Sequence, residues 1–150
     1  MNRVFSKLMS TLGYTVQYYC IAHCTFQYVA NIVVCTGPSM EPTIYTDDIL
    51  ITERLTLNYR NLQRGDIIIA RCPSSPRDQI CKRITGLPGD RMITELGRSS
   101  IVPRGHVWIE GDNRSNSSDS RSYGPIPQGL IKSRAVCKVW PPQEICSFTE

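Results

Sequence analysis

Two prolines bracket one serine in Gly37-Pro38-Ser39-Met40-Glu41-Pro42. Pro38 fixes its own φ, and Pro42 drives Glu41 towards extended geometry, so this stretch cannot be helix interior. It reads as a stiff loop that holds one hydroxyl in a defined place. It also divides the chain. Ahead of it, no Asp, Glu, Lys or Arg occurs between Lys7 and Glu41, and residues 12–35 are mostly apolar and aromatic. Behind it, apolar residues recur with strand period between Gly- and Pro-containing turns. The chain therefore divides into an N-terminal segment, 1–36, and one domain, 37–150.

About 20 apolar residues suffice to cross a bilayer, and residues 12–35 are long enough for that. Gln17, His23, Gln27 and Asn31 interrupt them. At about 100° per residue these four fall within roughly one third of a helix circumference. A one-sided polar stripe suits a membrane helix packed on another helix. The alternative is an amphipathic helix lying on a membrane surface or on the protein's own core. No small-residue cleavage site separates this segment from the domain, so the expectation is an uncleaved anchor. Arg3 and Lys7 place the N-terminus on the positive-inside face, with the domain on the other side.

The domain predicts strands at 49–52, 67–70, 79–85, 91–94, 106–110 and 135–140, with 125–129 as loop. Many short strands between tight turns make the fold mainly β, a barrel or folded sheet of mostly antiparallel strands. Composition narrows the function. The net charge of +4 is scattered, without a basic run, which argues against nucleic-acid binding. Seven cysteines leave at least one thiol free or paired with another molecule. With two histidines and no Cys-x-x-Cys, a structural zinc site has little support. The Cys20, His23, Cys24 cluster lies in the apolar segment and reads as helix-face packing. Cys72 and Cys81 flank the 73–76 loop and are a candidate hairpin disulfide.

A serine nucleophile needs a base. In Ile80-Cys81-Lys82-Arg83-Ile84, strand alternation puts Lys82 on one face with Ile80 and Ile84, and leaves Arg83 the wet side. If that face is the core face, desolvation lowers the lysine pKa and yields a neutral amine able to accept the Ser39 proton. The competing outcome is a lysine that carries its ammonium out to solvent. The rival base is His106, in a Ser-His-Asp arrangement, but it heads a strand without special context. A third polar cluster runs from Gly111 to Arg121, where Asp112, Arg114, Asp119 and Arg121 could pair to lock a loop.

Together, Gly-Pro-Ser-Met-x-Pro-Thr at 37–43, Lys-Arg-Ile-x-Gly-x-Pro-Gly-Asp at 82–90 and Gly-Asp-Asn-Arg-x-Asn-Ser-x-Asp-Ser-Arg at 111–121 resemble the type I signal peptidases in order and spacing. Within that family the chain looks most like the mitochondrial inner membrane branch. The resemblance implies a signal-peptidase-like barrel and a serine endopeptidase with Ser39 as nucleophile and Lys82 as general base, needing no cofactor and no metal. It implies that Ser117 helps orient the lysine, that Asp119 and Arg121 form a structural pair, and that Asp112 and Arg114 support the same loop. The Ser39 N–H would form part of an oxyanion hole. Many bacterial relatives carry a hydroxyl two positions before the nucleophile. Gly37 stands there in this chain, leaving Thr36 or a backbone group to substitute.

The implied substrates are precursor proteins whose membrane-proximal sorting signals direct them to the mitochondrial intermembrane space. The implied partners are the membrane and a second homologous catalytic subunit, for which Gln17, His23, Gln27 and Asn31 are a candidate docking face. Three alternatives stand beside this reading. They are a self-cleaving repressor-type protease, a scaffold subunit without catalysis, and a bacterial-type signal peptidase in a plasma membrane.

Overall fold

The computed structural model describes residues 2–24, 29–55 and 62–148, with side chains from residue 7 onward. Helix α1 (Asn2–Cys24) leads into strand β1 (Ala30–Val34) and a single 3-10 turn at Pro38–Met40. Strands β2 (Ile49–Glu53), β3 (Ile67–Arg71), β4 (Gln79–Gly86), β5 (Arg91–Ile93), β6 (Ser99–Ile101) and β7 (His106–Glu110) follow. The short helix α2 (Ser120–Tyr123) then precedes β8 (Ile126–Pro127), β9 (Ile131–Trp140) and β10 (Cys146–Ser147).

The expected strands of the domain all form. What the sequence reading missed is informative. Residues 12–35 do not make one helix: α1 stops at Cys24, and Ala30–Val34 joins the sheet instead. The β-branched run Ile32-Val33-Val34 suits a pleated surface and pairs residue by residue with Ile51, Leu50 and Ile49 of β2. The polar stripe therefore does not lie on a single helix. Gln17 and His23 are on α1, Asn31 is on β1 with its carbonyl accepting from Thr52 Oγ1 at 3.2 Å, and Gln27 lies outside the described residues. Among the described residues no helix is long and apolar enough to cross a membrane.

The main sheet runs β1-β2-β9-β3-β4-β7-β8, with β10 added to β9, and every pairing is antiparallel. It curls into a half-barrel whose path ends at β1 and β8. β5 and β6 form a separate hairpin. Central β3 is buried on both faces. Ile68 and Ala70 pack with Ile84, Val107, Ile109 and Ile126. Ile67 packs on the other side with Met40, Ile44, Leu50 and Ala135. This second cluster fixes the serine turn. Met40 and Ile44 are plugged into it, each burial contributing about 2 kcal/mol.

Candidate active site

Ser39 sits half-buried in the Pro38–Met40 turn. Gly37 enters that turn at φ +91°, a conformation that side chains rarely adopt, so glycine here serves the backbone. Glu41 is extended ahead of Pro42, as the second proline requires. Below the turn, Met40 anchors it in the core. Above it, the loop after β7 grips it: Asn113 donates its N–H to the Ser39 carbonyl at 3.1 Å and its Nδ2 to the Pro38 carbonyl at 3.1 Å.

Gly111 makes that grip close enough. A Cβ there would collide with the Ser39 carbonyl oxygen and with Ser117 Oγ. No other residue leaves room for both, so the Ser39 turn and Ser117 flank the same point. His106 stands at the other end of β7, five residues before Gly111 and roughly 16 Å away at about 3.3 Å per residue. Its ring nitrogen instead meets the Arg104 carbonyl at 3.1 Å. It is no partner for Ser39.

Lys82 is placed differently. β4 alternates as its sequence suggests, with Lys82 and Ile84 buried and Arg83 half-exposed. Lys82 is only 4% exposed, and among the described residues no carboxylate comes within ion-pair distance of it. Burial pushes its ammonium pKa down, and the charge of Asp119 only partly opposes this. Ser39 and Lys82 line one small cavity of ≈ 90 Å³ together with Cys35, Thr36, Ile44 and Cys81. Thr36 thus reaches the cavity that Gly37 leaves without a hydroxyl.

Two ion pairs hold this geometry. Asp119, fully buried, caps α2 and accepts from Ser117 Oγ at 2.7 Å, from the Gly111 N–H at 3.0 Å and from Arg121 Nε at 2.9 Å. Burial works against its charge, but Arg121, Gly111 and Ser117 outweigh that and hold its carboxyl below the usual range. Asp112 does not pair with Arg114. It takes both arms of Arg83, at 2.9 and 2.7 Å, and the Thr43 hydroxyl at 2.6 Å. Arg83 is therefore not a solvated neighbour of Lys82: it ties β4 to the loop behind Ser39. Arg114 pairs with Glu110 at 3.1 Å, and Glu110 also accepts from Trp108 Nε1.

Thr43, Arg83 and Asn113 were not singled out for these contacts in the sequence. Each lies inside a recognised motif, and that was the available signal. The Cys72–Cys81 disulfide does not form. Cys81 stands opposite Ile69, while the Cys72 N–H donates to the Asp78 carbonyl at the hairpin end, so the register separates the two. Among the described residues no group of three or more His, Cys, Asp or Glu side chains could hold a metal.

The family model for signal peptidase, peptidase S26, matches residues 8–98 and 91–140. The human protein named mitochondrial inner membrane protease subunit 1 is 53% identical over 94% of this chain and 88% of its own length. The Arabidopsis thaliana mitochondrial ATP-independent inner membrane protease subunit 1a is 38% identical over 85% and 80%. Mitochondrial inner membrane protease subunit 2 of Saccharomyces cerevisiae is 40% identical over 76% and 70%. A solved signal peptidase I from Enterococcus faecalis aligns at TM-score 0.43 and 24% identity, over 49% of this chain and 95% of that one. Matched by the family model over most of its length and by relatives of up to 53% identity, the chain belongs to the signal peptidase family, peptidase S26.

Proposed function

We propose that this chain is a membrane-associated serine endopeptidase in which Ser39 is the nucleophile and Lys82 the general base. The observation that carries the reading is a buried lysine without a counter-ion sharing a small cavity with the hydroxyl of a rigid turn. Neutral Lys82 takes the Ser39 proton as the oxygen attacks the scissile carbonyl, and an acyl-enzyme forms. The resulting ammonium gives its proton to the leaving amine. Water, deprotonated by the same lysine, then releases the acyl product. Ser117 spends its proton on Asp119, so its oxygen lone pairs point to a role in orienting Lys82. The Ser39 N–H supplies a donor to the oxyanion.

An extended substrate has an evident place. β1 is paired on one edge only, by β2, and β4 is paired by β7 only from Arg83 onward. Between these open edges runs a groove of ≈ 550 Å³, lined by Val33, Val34 and Thr36 on one side and Gln79, Ile80 and Cys81 on the other. A peptide strand laid there would find main-chain partners on both sides. The names of the relatives supply the membrane and a second subunit: they are mitochondrial inner membrane protease subunits 1 and 2. In that setting the chain would act on sorting signals of precursor proteins, with its domain facing the intermembrane space. Helix α1 supports attachment to the membrane. Leu12, Tyr14, Val16, Tyr18 and Ile21 are all more than half exposed. Thr11 and Thr15 fold their hydroxyls back onto the carbonyls of Lys7 and Thr11, which lessens the cost of lipid contact.

The test is cleavage of a membrane-sorting precursor by membranes carrying the wild type, Ser39→Ala or Lys82→Met at equal levels, with the second subunit present. Both variants should lose cleavage while remaining assembled. Undiminished cleavage by either would discard the assignment.

A further inference from the structure

The mechanism uses no cysteine, yet two thiols form part of the wall between Ser39 and Lys82. Cys35 follows β1 immediately, and its backbone is locked on both sides: its N–H donates to the Asp48 carbonyl and its carbonyl accepts from Asp47, each at 2.9 Å. Cys81 precedes Lys82 on β4. The two strands share no backbone hydrogen bond, because the sheet path separates them by β2, β9 and β3. The curl of the sheet nevertheless brings the two residues to one small cavity, with Cys81 packed on the core cluster that contains Cys35. Both line the small cavity with Ser39 and Lys82, and both line the groove between the open edges of β1 and β4. They stand one on each border of that groove.

We propose that Cys35 and Cys81 are a peroxide-reactive dithiol whose disulfide shuts the active site. The inference rests on the protease reading only for its consequence; the dithiol itself stands on the packing. The interaction of the two thiols draws Cys35 below its ordinary range and pushes Cys81 above it. In the proposed reaction Cys35 is the attacking sulfur. Its thiolate displaces hydroxide from a peroxide oxygen, forming a sulfenic acid, and the hydroxide leaves as water with a proton. The Cys81 sulfur then attacks the sulfenic sulfur and a second water departs. Two thiols and one hydrogen peroxide become one disulfide and two waters. A dithiol reductant reverses it by exchange.

Closing the bond draws the two sulfurs to about 2.05 Å. The strain falls on the residue before Lys82 and on the segment four residues before Ser39. Misplacing catalytic groups by about 1 Å costs on the order of 100-fold in rate. The same bond ties the groove's two borders together where a peptide strand would lie.

The test uses the full-length chain in detergent with its precursor substrate, treated with hydrogen peroxide and compared before treatment, after it, and after dithiothreitol. Linkage is located by tandem mass spectrometry without reduction. The expected result is a Cys35–Cys81 linkage, a loss of cleavage of tenfold or more, and recovery with dithiothreitol. Cys35→Ser and Cys81→Ser should each keep at least half of their own untreated rate after peroxide; Cys35→Ala and Cys81→Ala give the same comparison should a serine variant fail to fold. Oxidation of other thiols without this linkage would overturn the proposal. So would linkage with unchanged cleavage, or equal fractional losses in wild type and variants. A fully reduced wild type that cleaves nothing would instead overturn the protease reading, while the linkage would still decide the dithiol.

Discussion

Two lysines are buried in this sheet, and only one of them is suited to be a base. Lys82 on β4 is 4% exposed and Lys138 on β9 is 3% exposed. Both lie on strands and both have lost their water. Lys138 meets Glu144 at 2.7 Å and Asp48 at 3.1 Å, and although burial works against its charge, these hydrogen bonds win and its pKa rises. Among the described residues Lys82 meets no carboxylate at that range, burial wins, and its pKa falls. Burial alone does not push a lysine towards the neutral amine that can accept a proton: burial without a carboxylate partner does.

Exchanging each lysine for methionine separates the two regions most sharply. Lys82→Met should lower cleavage by about 10²–10⁴ or more, the usual worth of a general base, with no loss of stability in urea. Lys138→Met should do the reverse. It leaves Asp48 buried and unpaired, which costs about 3 kcal/mol in urea unfolding, while the folded fraction keeps its cleavage rate. Equal effects from both would erase the distinction.

The supports of Lys82 come next. Asp112→Asn removes the charge that Arg83 and Thr43 hold, a pair 18% and 29% exposed at its two ends. It should cost about 1–2 kcal/mol and lower kcat, because the clamp connects β4 to the nucleophile's loop. Asp119→Asn should move the acid limb of the kcat/KM profile to lower pH. The Asp119 charge raises the Lys82 pKa against burial, and its loss lets that pKa fall further.

The smallest effect is in the pH dependence of stability. Lys82 has a folded pKa below its unfolded value, so folding is penalised while the group must stay charged in the unfolded chain and neutral in the fold. Stability from this group falls as pH drops through the folded pKa and is fully regained above the unfolded one, near 10.5. Lys138 has a raised folded pKa, so its contribution is complete below that same value and is lost as pH rises through the folded pKa. Lys82→Met and Lys138→Met should therefore change the slope of stability against pH with opposite signs on the alkaline side. Slopes of one sign would contradict the assigned directions.

Much of the domain was legible because each strand carries its own period. Ile49–Glu53, Ile67–Arg71 and Gln79–Gly86 formed where alternation and turn residues placed them. Ala30–Val34 was not legible. Its apolar run continues the helical segment before it, and only pairing with β2 turns it into a strand. The site divides in the same way. Alternation could put Lys82 on one face of β4, but which face met the core depended on β3, β7 and the curl of the sheet. Asp112 and Asp119 were visible as loop acids; that one would serve Arg83 and the other Ser117 was not.

By itself the sequence determined the rigid serine turn, the strand periods, the motif order and the uncharged N-terminus, since prolines, alternation and spacing act over a few residues. Tertiary structure decided the rest. The Arg83–Asp112 pair, the shared cavity wall of Cys35 and Cys81, and the Gly111 approach to Ser39 each join residues distant in the chain. Whether a buried charge finds a counter-ion is settled by the packing of several strands, and no local pattern encodes that.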